Sequence, residues 1–485
     1  MKTYLMGTAA AVVMMAGATS SALACDPDYS GVTLTAASQT GPYIASALQL
    51  AAEEWKKKTC GTVNVVEFPW SELYPKIVTS LTSGEDTFDV ITFAPAWSPD
   101  FTDFLAEVPE AMRSSDAWKD IAPVYRDRLM VWNGKTLSQT IDGDVHTYSY
   151  RTDLFNDPKE KEAFKAKYGK DLAPPETWDD YLQIAEFFQR PDQNLWGSAA
   201  AYRRGGQQFW FLFSVAAAYA SHPDNPGSLF FDPDTMDAQV NNPGWVKALE
   251  TYIATSKVSP PNALQFSFGE TIAAHAGGQV AQSWGWGDTG TVVADPKQSK
   301  VPGTLGSGLL PGSKTIYNYK TKAWDEFPEV VRSPFMAFGG WQAAVPATST
   351  KQEAAWNFIE LMSSPEVSGK AAVTGGTGVN PYRFSHFDNL GLWTAIMSEE
   401  EAKGYLASQK GSLEAPNVVL DMRLPGYFSY TEVLEIELSK ALAGEVSAQE
   451  ALDAVAAEWN RLTDEFGRDA QLAAYRAAMG LPPKE

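Results

Sequence analysis

The alternation of strand-forming and helix-forming runs over residues 32–93 restricts this chain more than any other feature. Residues 32–36 are short and rich in β-formers. Gly41-Pro42 then opens a helical stretch, since proline suits a first turn, where its missing N–H has no partner to lose. Ile44, Leu48, Ala51 and Trp55 recur on one face at helical spacing, and Lys56, Lys57 and Lys58 suit the negative end of that helix. Residues 63–66 read as a second strand, Leu73, Ile77 and Leu81 mark a second helix, and residues 89–93 a third strand. Parallel strands need a long crossover, which a helix supplies, so the pattern predicts an α/β fold built on a mainly parallel sheet flanked by helices.

Shared strand polarity has two consequences. Cys25 precedes the first strand and Cys60 the second, at one sheet edge, where a disulfide between them is geometrically reasonable. The loops after the three strands meet at the other edge. They carry Gln39 with Tyr43, Phe68 with Trp70, and Trp97. Ligands of open α/β sheets bind beyond the strand carboxyl ends.

The N-terminus reads as an export signal: Lys2, an apolar run over 5–17, and the small-residue exit Ala22-Leu23-Ala24. Cleavage after Ala24 makes residues 1–24 a signal peptide and Cys25 the first mature residue. Periplasmic export permits the disulfide. Lipid attachment to Cys25 stays open as the alternative, although Ala22 stands where such signals carry Leu. No later run approaches the ~20 apolar residues of a membrane span. The formal net charge is −21, which argues against nucleic acid or anionic lipid as a partner.

Later segments repeat the helical grammar. Thr177 with Asp180, Thr350 with Glu353, and Ser447 with Glu450 have the spacing of capping boxes. Residues 301–334 lack strong periodicity and read as a strand-and-loop excursion.

Residues 285–290, Gly-Trp-Gly-Asp-Thr-Gly, match a dinucleotide fingerprint after a plausible strand. Asp295-Pro296 interrupts the long helix that such a site requires, and a Trp fills the phosphate turn. Glycines beside Trp284 and Trp286 fit a loop that displays rings. No nucleophile-elbow, zincin or Walker sequence occurs, and the histidines (146, 222, 275, 386) are scattered. The sequence implies no metal site and no cofactor. What remains is binding. Sixteen Trp is high for 485 residues, and Trp70, Trp97, Trp284, Trp286 and Trp341 all fall in predicted loops. Core packing competes for each alone; together they fit a site whose rings cover the apolar faces of a sugar while polar groups satisfy its hydroxyls.

At this point the chain resembles a known family, the extracellular solute-binding proteins of carbohydrate ABC importers. The resemblance rests on Phe88-Asp89-Val90-Ile91; on residues 142–146 and 150–155; on Pro175-Glu176-Thr177-Trp178-Asp179; on Gly339-Gly340-Trp341 followed by residues 354–359 and Ser364-Pro365-Glu366; and on Leu424-Pro425-Gly426-Tyr427 with residues 444–452. It implies a type II periplasmic-binding-protein fold. One lobe would hold 25–147 and 283–335, and the other 148–282 and 336–485. Crossings would fall near Thr147, Gln282 and Phe335, with ligand between the lobes. It also implies contacts from Trp97, Trp284, Trp286, Gly340 and Trp341, with Tyr202, Arg203 and Arg383 as further candidates. Asp144, His146 and Asp288 complete the expected site.

The implied function is capture of a sugar, oligosaccharide or polyol by a monomer that closes and docks on a membrane permease, without catalysis. The rivals are a polyamine, iron-complex or peptide carrier, a secreted carbohydrate-active enzyme, and a structural surface protein. A polyamine site would place several carboxylates beside the rings.

Overall fold

The computed structural model describes residues 25–484; the expected signal peptide lies outside them. The predicted alternation is present. Strand β1 (Thr33–Gln39) leads to helix α1 (Ala45–Thr59), then β2 (Thr62–Phe68), α2 (Trp70–Ser83) and β3 (Val90–Phe93). β1 pairs in parallel with both β2 and β3. The apolar face of α1, with Ile44 just before it and Leu48, Ala51 and Trp55 along it, is fully buried, as are Leu73 and Ile77 of α2. The expected edge arrangement also holds. Cys25 and Cys60 form a disulfide with Cα atoms 5.8 Å apart.

Two sheets organise the molecule. The first runs in the order β2, β1, β3, Gln342–Ala344, Gln139–Thr140. The second runs Leu305–Gly308, Thr147–Arg151, Val280–Gly285, Trp196–Ala199. Both are mixed. Gln342 pairs with Phe93 and Thr147 with Gly285, each strand start against a strand end. A segment that arrives from the other sheet enters at the facing edge, so it runs against the strand already there.

Strand pairing differs from the expected division of the chain. Residues 305–308 were expected with the first lobe, yet they pair with Thr147–Arg151 in the second sheet. Residues 342–344 were expected with the second lobe, yet they pair with β3. No crossing occurs at Gln282, which sits inside a strand of the second sheet with its side chain bonded to Tyr148 and Tyr181. The chain passes from the first sheet to the second over 141–146 and returns between 308 and 342. The excursion on that return is a hairpin, Ser313–Asn318 against Ala323–Val331.

Two of the three expected capping boxes are made, at Thr177 and Ser447. At the third, Thr350 bonds Asp86 instead, so its hydroxyl serves a long-range contact rather than the helix Gln352–Met362.

Candidate functional site

A cavity of about 260 Å³ lies between the facing edges of the two sheets. One wall is the β1–α1 loop, with Gln39, Gly41 and Tyr43, beside Trp70 at the first position of α2. The opposite wall is the loop before helix Gln208–Ala220, with Arg203 and Gln207, and the start of helix Phe268–Ala276. Trp286 and Asp288 follow the C-terminal end of strand Val280–Gly285. The crossing segments complete the floor with Asp142 and Asp144 on one pass and Phe338 and Trp341 on the other.

The local backbone explains why those last two rings share the cavity. Phe338, Gly339 and Gly340 all have positive φ (68°, 82° and 84°), a left-handed run that turns both aromatic side chains to one side. A Cβ on Gly340 would collide with the Asp142 carbonyl oxygen, so glycine allows the two crossings to touch. Ile44 also has positive φ (66°), and its amide bonds the Thr377 carbonyl at 2.6 Å, which pins the Tyr43 loop.

Asp142, Asp144 and Asp288 are all buried. They converge on Asn380. Its backbone N–H donates to Asp142 at 2.7 Å, and its side-chain amide donates to Asp144 at 3.0 Å and Asp288 at 3.1 Å. Burial pushes all three carboxyls upward, Asp288 to about 6. Mutual repulsion adds to the shift at Asp142 and Asp144. These groups can hold a proton near neutrality and accept hydrogen bonds when they lose it.

Of the residues expected from sequence, Gln39, Tyr43, Trp70, Asp144, Arg203, Trp286, Asp288 and Trp341 line this cavity. The others do not. Trp284 lies inside strand Val280–Gly285 and packs in the core of the second half, against Trp178 (5.1 Å) and Tyr181 (5.4 Å). Gly285, at φ 155°, then breaks the strand geometry, so Trp286 does not share that facing. Trp97 is buried behind Trp70 at 5.1 Å. His146 packs edge-on to Trp286 at 4.4 Å, bonds Ser214 at 2.7 Å, and burial holds it well below the usual histidine range. Tyr202 is buried and bonds Thr255 and Ser259. Gly340 shapes the floor from behind. Arg383 is a buried staple that donates to the Ala117 and Ser363 carbonyls. Asp142, Phe338, Phe268 and Asn380 were not expected. Asp142 was legible beside Asp144, but Asn380 joins from 236 residues away and only the fold brings it in.

The model of one family matches residues 40–368, that of the bacterial extracellular solute-binding proteins. The chain belongs to that family. This solute-binding protein is 24% identical, over 72% of its length and 72% of the relative's, to a probable amino-acid ABC transporter periplasmic-binding protein of Sinorhizobium fredii. Among solved structures it resembles an ABC transporter solute-binding protein of Agrobacterium radiobacter in complex with ribitol. That match has 21% identity and a TM-score of 0.72, and covers 90% of this chain and 100% of the other. It also resembles maltose-bound MalE3 of T. maritima, at 19% identity and a TM-score of 0.71, covering 89% of this chain and 100% of the other. These likenesses establish the two-lobed α/β architecture.

Proposed function

We propose that this solute-binding protein captures a sugar or polyol in the cavity between its halves and delivers it to the permease of an ABC importer. The observation that carries the reading is the composition of the cavity walls. Ring faces from both halves (Trp70, Trp341, Trp286, Phe338) surround buried carboxylates that accept hydrogen bonds from hydroxyls. The structural relatives bound to ribitol and to maltose support the same class of solute. At about 260 Å³ the cavity lies below the ~300–1,000 Å³ of drug-sized ligand sites, which favours a single ring or a short polyol over a long oligosaccharide.

The mechanism is binding without turnover. Ligand contacts made by both halves are complete only when the halves are close, so ligand favours that arrangement. In this reading residues 1–24 direct export and are removed, the mature chain works as a monomer in the periplasm, and the Cys25–Cys60 disulfide fits that oxidising compartment.

A thermal-shift screen against ribitol, mannitol, hexoses and maltose tests the reading. A ligand at ~100 times its Kd adds about 2.7 kcal/mol. For a chain of this length that raises Tm by roughly 3 °C. A screen in which only peptides or amino acids raise Tm overturns it.

A further inference from the structure

We propose that the captured solute carries a protonated amine on its hydroxylated frame, seated on the cavity floor against Asp144, Asp288 and Asp142. The inference rests on the sugar-or-polyol reading and narrows it.

The floor holds more negative charge than hydroxyl donors offset. Asp142 is fully buried and Asp144 and Asp288 are each 6% exposed. Their protein donors are the Asn380 amide groups and, at the limit of reach, the Trp341 N–H at 3.5 Å. No Lys or Arg among the described residues forms an ion pair with any of the three. Asp144 Oδ2 and Asp288 Oδ1 accept no hydrogen bond from the described residues. Gln39 Oε1, in the facing wall, likewise has no partner.

Buried carboxylates without a counterion are costly unless they are neutralised. Two things neutralise them: protons, or a cation brought by the ligand. An ammonium offers three donors and one positive charge, which fits a floor of unpartnered acceptors. The aromatic residues Trp286, Trp341 and Tyr43 line the same cavity, and aromatic rings attract cations. Among the described residues the one basic side chain that lines the cavity, Arg203, is exposed, and it acts on Glu270. The raised carboxyls fit this scheme. Burial and mutual repulsion favour the protonated form of Asp142 and Asp144, and an arriving ammonium takes over the neutralising role of that proton.

Matched pairs test this on the full mature chain by titration calorimetry at pH 7.5: glucose with glucosamine, galactose with galactosamine, sorbitol with 1-amino-1-deoxysorbitol, and putrescine as an amine without hydroxyls. In at least one pair the amine is expected to bind ten times more tightly or better. Asp288→Asn, or Asp144→Asn if the first variant folds poorly, is expected to reduce that advantage to threefold or less. Trp286→Ala is expected to weaken both members alike. Wild-type titrations at pH 6.5 in buffers of different ionisation enthalpy are expected to show proton release with the amine and none with its neutral partner. Neutral members that bind as tightly as the amines, or an amine preference that survives both Asp variants, overturn the ammonium assignment and leave the sugar reading standing. Putrescine binding with no response to any hydroxylated compound overturns the sugar reading while the ammonium site stands.

Discussion

Single side chains divide by which way they face, and that division makes opposite predictions for two neighbouring tryptophans. Trp284 and Trp286 both sit near a strand end, but only Trp286 lines the cavity. Either change to Ala removes a large buried ring and is expected to cost on the order of 3–5 kcal/mol of stability. Only Trp286→Ala is expected to abolish the ligand-induced rise in Tm. Trp284→Ala should lower the starting Tm and keep the rise, and the reverse pattern would misplace the site. A second prediction concerns pH. Burial raises Asp288 to about 6, and Asp421 and Glu435 to about 7. A carboxyl raised in the folded state holds its proton more tightly there than in the unfolded chain. Its contribution is therefore favourable at low pH and is lost as pH rises from about 4 through 7. Tm without ligand is expected to be higher at pH 5.5 than at pH 8. Asp288→Asn, which leaves Tyr43 and Tyr405 facing a neutral group, should raise Tm at pH 8 more than at pH 5.5. An upper figure for that gain is about 3 kcal/mol.

At the level of elements, the first five strands and helices were readable because each has its own period and its own terminus signals. The turn over 338–340 was not. Gly339-Gly340 marks a bend, but nothing local says that the bend touches Asp142. Gly340→Ala tests the contact. A left-handed alanine alone costs roughly 1–2 kcal/mol. Gly303→Ala, at φ 79° with open space around it, is expected to cost about that much. Gly340→Ala must also displace the Asp142 carbonyl, so it is expected to cost more and to weaken ligand binding at least tenfold. Equal effects in thermal melts of the two variants would refute the role given to the close approach. The missed capping box at Thr350 has the same origin. Its spacing was right, but Asp86 offered the hydroxyl a partner that no local pattern contains.

For the whole molecule, the disulfide and the two-sheet division act at different ranges. Cys25 and Cys60 close a loop of 35 residues, for which chain entropy gives about 4 kcal/mol. Cys60→Ser is expected to lower Tm by several degrees and to leave ligand affinity unchanged, since the bond lies at the sheet edge away from the cavity. A calorimetric titration of the variant checks both. The division of the chain between sheets was misjudged because either sheet can accept a short apolar strand. Residues 305–308 and 342–344 carry no mark of which sheet they join, and pairing decides it.

Local order was written in the sequence. Helical and strand periods, the cysteine positions, and the motifs that mark the family each depend on residues close together along the chain. The family and the α/β architecture followed from those. The tertiary structure alone decided which tryptophans line the cavity, because the chain leaves strand geometry at Gly285, so that Trp284 before it faces core and Trp286 after it faces the cavity. It alone brought Asn380 to three carboxylates that are distant in the chain. Burial at that meeting point, a property of the folded molecule and not of any segment, turns ordinary aspartates into a site with a charge preference.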